Sequence, residues 1–159
     1  MTMIVKAALL LFRGHVSGRQ LLFVRPKGKS YYVFPGGKQE AGESVEEALL
    51  RELREELAVD ATNVKKIGEL TGATPNGTPL QMHLYSASLV GDPQPHSEIE
   101  ELLWLTKVEA VRRKSEMTPM SLEHVFPFGS PKTLGRLTFI SEVLPVRAYT
   151  VLRSYTKSG

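Results

Sequence analysis

The chain has 159 residues, which is one domain's worth of sequence, and 42% of them are apolar and 23% charged, so wholesale disorder is excluded. There is no cysteine, which removes a disulfide framework, a thiolate zinc site and a cysteine nucleophile. The net charge of +3 is unevenly placed, because residues 129–159 alone carry +4 and residues 1–128 carry −1. A basic tail is a weak nucleic-acid signal, so no nucleic-acid partner is expected.

No stretch reaches the ~18 apolar residues that a membrane span needs. The run Ala7 to Phe12 is too short for a signal-peptide core and ends at Arg13. A cytoplasmic protein without a membrane partner is expected. Ile4 to Arg13 reads as one buried strand, and Gln20 to Arg25 as a second across a turn at Gly14 to Gly18. Pro26 to Ser30 is a basic loop. Tyr31 to Phe34 reads as a short aromatic strand stopped by Pro35-Gly36-Gly37.

The period then changes. Ser44-Val45-Glu46-Glu47 is a capping box, which predicts a helix from Val45 to about Leu57. Val64 to Leu70 and Leu80 to Leu89 read as strands around a Pro75-Asn76-Gly77 turn. Thr106 to Glu109 predicts a short helix after Trp104, and Thr118-Pro119 is the start of a further one. For the tail, a helix from Pro131 to Leu144, a strand and a free arm all fit the pattern. Strands mixed with two or three helices give an α/β or α+β domain around one sheet. Residues 1–128 are expected to form it, with 129–159 a basic extension packed on it or exchanged with a copy; a homodimer through that apolar tail stays open.

On the predicted helix, Leu49, Leu50, Leu53 and Leu57 share one stripe, which must face the core. Glu52, Glu55 and Glu56 fill an adjacent sector about 100° wide, at i, i+3 and i+4. Like charges at these spacings cost about 0.2–0.5 kcal/mol per pair, and acids in the last turns oppose the helix dipole. Arg51 relieves Glu55 at i+4. A hard cation, Mg²⁺ or Mn²⁺, would turn the repulsion among the rest into ligation; a solvated acidic face is the competing reading. Gly36 and Gly37 allow close backbone approach to a ligand, so the Gly36 carbonyl is a candidate fourth metal ligand. Lys38 adds a cation beside them, a set that suits a metal-bound polyphosphate.

Gly37 to Val59, GKQEAGESVEEALLRELREELAV, resembles the Nudix box. Gly37, Glu43, Arg51, Glu52, Leu53, Glu55, Glu56 and Val59 fall in place, and Ala58 stands where the family has glycine. The resemblance implies an α/β/α sandwich around a mixed β-sheet and metal-dependent hydrolysis of a phosphoanhydride in a nucleoside diphosphate linked to another group. It implies Glu52, Glu55 and Glu56 as metal ligands with Gly36, Arg51 holding the carboxylates by pairing, and Glu43 supporting the loop. Glu55 and Glu52 are carried over as catalytic together with Arg51. The proton acceptor varies in the family; Glu98, in an acidic loop Glu98-Ile99-Glu100-Glu101, is the choice here. Arg25, Lys27, Lys38 and Gly37 are candidates for substrate contact. Tyr31, Tyr32 and Phe34 are base-stacking or core residues, Trp104 a packed one, and His15, His83, His96 and His124 receive no role. The partner is a small nucleotide. A (deoxy)nucleoside triphosphate, including oxidised purine forms, is expected, with ADP-ribose or a nucleoside diphosphate sugar as the alternative. A binder without turnover is the rival of another class.

Overall fold

The structure, a computed structural model, describes residues 2–14, 18–74, 77–118, 121 and 138–139. Among them β1 (Ile4–Leu9), β4 (Gly36–Lys38), β5 (Asp60–Ala73), β6 (Pro79–Val90) and β8 (Thr138–Phe139) form a five-stranded sheet in the order β4-β1-β6-β5-β8. β2 (Phe12–Arg13), β3 (Gln20–Pro26) and β7 (Ile99–Leu105) form a three-stranded sheet in the order β2-β3-β7. β1 runs parallel to β6 while the other pairs are antiparallel, so the larger sheet is mixed. Helix α1 (Val45–Leu57), helix α2 (Lys107–Arg112) and a 3-10 turn at Lys114–Glu116 complete the elements of the described residues. This is the expected α/β/α sandwich.

The two helices cover opposite layers. Leu49, Leu53 and Leu57 of α1 pack on Ala7, Leu9, Leu22, Val24, Tyr85 and Ile99. Ala110 of α2 joins the other cluster, with Ala8, Phe23, Phe34, Ile67, Leu70 and Leu84. There the Phe23 and Phe34 rings stack with centroids 5.3 Å apart. Alternation along β1 delivers Ala7 and Leu9 to one face and Ala8 to the other, so one strand serves both cores.

Helix α1 begins as expected. The Ser44 hydroxyl accepts from the Glu47 amide at 3.0 Å, and the Glu47 carboxylate accepts from the Ser44 amide at 2.7 Å. It ends at Ala58, which adopts φ 54°, ψ 39°. Its N–H reaches the Arg54 carbonyl at 3.1 Å, and that of Val59 reaches Leu53 at 3.5 Å. The family's glycine is missing, yet the left-handed exit is kept, at a strain of roughly 1–2 kcal/mol for a residue with a Cβ. Ala58→Gly is therefore expected to stabilise the protein by about 1 kcal/mol and leave turnover unchanged, as read by chemical denaturation.

Several elements differ from the sequence reading. Ile4 to Arg13 is two strands in two sheets, because the chain crosses over at Leu10 and Leu11: the Leu10 amide bonds Tyr85 and the Leu11 carbonyl takes the Leu22 amide. Tyr31 to Phe34 is not a strand. It makes single bridges, Val24 with Val33 and Tyr32 with Met117, and the glycines read as its stop are themselves in β4. Ile99–Leu105 is a strand against β3, so only Glu98 of the acidic stretch lies outside it. The hairpin of β5 and β6 is longer at both ends than expected. Thr106 caps α2 through the Glu109 amide at 3.2 Å. After it, Thr118 bonds Ser121.

The turns at residues 15–17 and 75–76 and the helix expected from Pro119 lie at or beyond the limits of the described residues. In the tail, β8 pairs Thr138 with Glu69 and Phe139 with Gly68; the rest of 129–159 is outside them.

Candidate active site

β4 is the floor of the site. It pairs Gly36 with Ala8, Gly37 with Ala7 and Lys38 with Lys6, and it runs beneath α1. Gly36 has φ 135°, a conformation that requires glycine. Its amide donates to Glu56 Oε1 at 2.6 Å. Gly37 lies against the Glu52 carboxylate, in the space a Cβ would fill. Two glycines thus let two acids of α1 rest on a strand.

Arg51 is the hub on the outer side. It donates to Glu43 Oε2 and Oε1 at 3.1 and 2.7 Å, to Glu52 at 3.0 Å, to Glu55 at 3.3 Å and to the Lys38 carbonyl at 3.0 Å. Glu43 in turn accepts from the Glu40 amide at 2.8 Å. The hydrogen bonds from Arg51 hold the Glu43 carboxyl below the usual range. The guanidinium is held charged by the same contacts, Glu43 first. One arginine therefore fastens the loop to the helix by charge-assisted hydrogen bonds.

The acids are not equivalent. Glu55 is more than half exposed and Glu52 mostly covered. Glu56 is 8% exposed, the one charged residue among the buried described residues. Burial pushes its carboxyl up to about 8, with Glu52 and Glu55 adding to the shift against the Gly36 amide and Lys6. Burial likewise raises Glu52, against the pull of Arg51. The Gly36 bond is the hydrogen bond that the Glu56 carboxylate makes among the described residues. Among the described residues its second carboxylate oxygen has no hydrogen-bond donor, which is costly for an ionised group in a buried residue.

That orphaned oxygen is the test of fit for a divalent cation. Carboxylate oxygens from Glu52, Glu55 and Glu56 are the donor set that hard cations take. Among the described residues these groups are not already gathered around one point, because Arg51 draws Glu52 and Glu55 while Gly36 holds Glu56. A cation here would have to draw the two outer carboxylates inward.

The other expected residues are placed as follows. The Arg25 guanidinium donates to Glu101 at 3.1 Å and Glu100 at 2.8 Å across the β3–β7 pair, and these bonds, Glu101 first, raise its pKa. Tyr32 Oη donates to Glu101 Oε2 at 2.8 Å and is the main cause of that carboxyl's lowered pKa. Glu100 and Glu101 thus answer Arg25 from a strand rather than lie in an acidic loop with Glu98. Lys27 and Lys38 are exposed, and the Lys27 amide bonds the Glu98 carbonyl at 2.8 Å. Tyr32 and Phe34 are core and Tyr31 is exposed. Trp104 packs in the α1 cluster under Arg13, whose guanidinium lies 4.2 Å from its ring.

Two residues escaped the sequence reading. Lys6 is Lys38's cross-strand partner, and its ammonium senses Glu52 and Glu56, although burial and Lys38 together lower its pKa. A lysine in an apolar strand gave no signal, and only the pairing register reveals it. His96 binds the C-terminus of α1, where its Nδ1 meets the Glu55 carbonyl at 2.9 Å.

Residues 3–125 match the family described as NUDIX domain, so the chain belongs to the Nudix family. The CTP pyrophosphohydrolase of Escherichia coli K12 is 34% identical over 102 residues, 60% of this chain and 72% of that protein. An 8-oxo-(d)GTP phosphatase of Mycolicibacterium smegmatis is 28% identical over 92 residues, 58% of this chain and 29% of that protein. The solution structure of the E. coli ORF135 protein superposes with a TM-score of 0.60 at 28% identity, covering 81% of this chain and 96% of that one. The chain spans only about a quarter to a third of the length of several of its curated relatives. Among the described residues no helix is long and apolar enough to cross a membrane.

Proposed function

We propose that the protein hydrolyses a phosphoanhydride in a nucleoside diphosphate linked to another group, with Mg²⁺ or Mn²⁺, and that a (deoxy)nucleoside triphosphate is its substrate. The observation that carries this reading is the buried, under-bonded Glu56 carboxylate beside Glu52, both resting on a strand where Gly36 and Gly37 leave no room for a Cβ. A bland acidic face would leave those groups in water. The similarity to a CTP pyrophosphohydrolase and an 8-oxo-(d)GTP phosphatase favours the triphosphate class.

Glu52, Glu55 and Glu56, with the Gly36 carbonyl, would hold the metal. Once bound, the cation supplies neutralisation of the phosphate oxygens and a more acidic water. Arg51 fixes the loop that brings Lys38 to the phosphates, and Lys6 lies next to Lys38 on the same face. Arg25 pairs with Glu101 and the Lys27 amide bonds the Glu98 carbonyl, so both would meet the same part of the substrate as Glu98, and Gly37 leaves room for Glu52. Glu98 accepts the proton of the attacking water, and Glu98→Gln is expected to lower kcat by about 10²–10⁴-fold.

A panel of nucleoside triphosphates, ADP-ribose and nucleoside diphosphate sugars, with Mg²⁺, Mn²⁺ or EDTA, tests the reading by product identification. Pyrophosphate and a nucleoside monophosphate from a triphosphate, abolished by EDTA, are expected. Turnover of ADP-ribose alone would move the substrate class. Tight nucleotide binding without metal-dependent product would leave a binder.

A further inference from the structure

We propose that His96 is a positioning residue, which sets Glu98 against the acidic turn of α1. A helix leaves its last four carbonyls without intrahelical partners. Here three are taken by the segment ahead of β7. His96 Nδ1–H donates to the Glu55 carbonyl at 2.9 Å, the His96 amide to Glu56 at 3.0 Å, and the Gln94 amide to Leu57 at 3.0 Å. The segment thus docks on the very turn that bears Glu52, Glu55 and Glu56.

From His96 the path to Glu98 has little slack. The Ile99 amide returns to the His96 carbonyl at 3.0 Å and closes a four-residue turn. Inside it Ser97 sits at φ 53°, the left-handed region that non-glycine residues seldom occupy. Beyond it the Ile99 side chain is buried in the α1 cluster. The Glu98 carbonyl is held by the Lys27 amide at 2.8 Å. Every bond in this clip is backbone to backbone except the imidazole's. His96 is therefore where residue type decides how the clip sits. An N–H aimed at a helix C-terminus is also favoured by the dipole. His96 is exposed, so its loss should change folding stability little.

This inference rests on the reading of Glu98 as proton acceptor, and a double-mutant cycle separates the two. His96→Ala, His96→Asn, Glu98→Gln and His96→Ala/Glu98→Gln are compared in the full chain, with the preferred nucleotide and Mg²⁺, alongside thermal melting. A small displacement of a catalytic group is enough to cost rate, so His96→Ala is expected to lower kcat about tenfold with little change in KM. Asparagine, which keeps an N–H donor, should recover most of the loss. In the Glu98→Gln background the His96 substitution should cost nothing further. An unchanged kcat in His96→Ala, or a loss that multiplies in full on that of Glu98→Gln, overturns the positioning role while Glu98 stands. Full turnover in Glu98→Gln removes the proton-acceptor reading, and the proposal with it.

Discussion

Alanine at Gly36 is expected to unfold the protein at room temperature or nearly so, while alanine at Gly37 should give a stable protein that has lost its activity. The two positions are adjacent and carry the same methyl group in the variants. The difference lies in what that methyl group meets. At Gly36 it collides with the Ala7 carbonyl oxygen and comes within 2.9 Å of the Ala7 carbonyl carbon and 3.0 Å of Ala8 Cα. These are backbone atoms of β1, pinned between β4 and β6, and they cannot yield without breaking the sheet. The φ of 135° adds strain of its own. A loss of roughly 4 kcal/mol or more is expected, a large part of a domain's stability.

At Gly37 the clash is with the far end of the Glu52 side chain, which can rotate away. Folding stability should fall by about 1 kcal/mol, but Glu52 would leave the floor of the site. Since small misplacements of catalytic groups cost about 10²-fold, kcat/KM should drop by about that factor. Urea denaturation and steady-state turnover of the two variants check this. A Gly36→Ala protein with a normal melting curve would contradict the packing argument, and an active Gly37→Ala protein would remove Glu52 from the chemistry.

These glycines also show where the sequence was legible and where it was not. Helix α1 announced itself through three independent signals. Its leucines recur at the helical period, its capping box is complete, and its acids gather in one sector. All are properties of side chains close in sequence. β4 has almost no side chains to pattern. Its glycines read as a stop, although their lack of a Cβ is what lets a strand pass under the acids. β7 was missed for a related reason. The acids of Glu98-Ile99-Glu100-Glu101 looked like a loop, whereas Glu100 and Glu101 are matched by Arg25 from the neighbouring strand. Partners that meet only through strand pairing, such as Lys6 with Lys38, leave no mark on a single segment. Ala58 shows the opposite case. The helix exit kept its left-handed turn because the Leu53 and Arg54 carbonyls still needed donors, so the fold overrode the local preference of alanine.

Glu56→Gln should stabilise the metal-free protein at neutral pH and above while lowering turnover by at least about 10²-fold. Glutamine keeps the oxygen that accepts from the Gly36 amide but carries no charge to desolvate. The sign with pH follows from the direction of the shift. An unfolded chain has an ordinary carboxyl at 4.5, and in the folded protein burial pushes it to about 8. The folded state therefore binds the proton more tightly. Glu56's contribution is fully present below the ordinary value and is lost as pH rises through about 8. The metal-free wild type should thus lose stability between pH 5 and pH 8 relative to Glu56→Gln, and the gap should close toward the acid end. Mg²⁺ or Mn²⁺ held by Glu56 should oppose the same loss, because a ligand that binds only the folded state stabilises it by mass action. Its effect on the wild-type melting temperature should grow with pH, as ligation needs the ionised carboxylate, and should largely vanish in the variant. Melting curves at pH 5, 6.5 and 8, with the cation or EDTA, read out all three terms. If the two proteins melted alike at every pH and gained equally from the cation, Glu56 would be an ordinary buried acid and the metal would have to be held elsewhere.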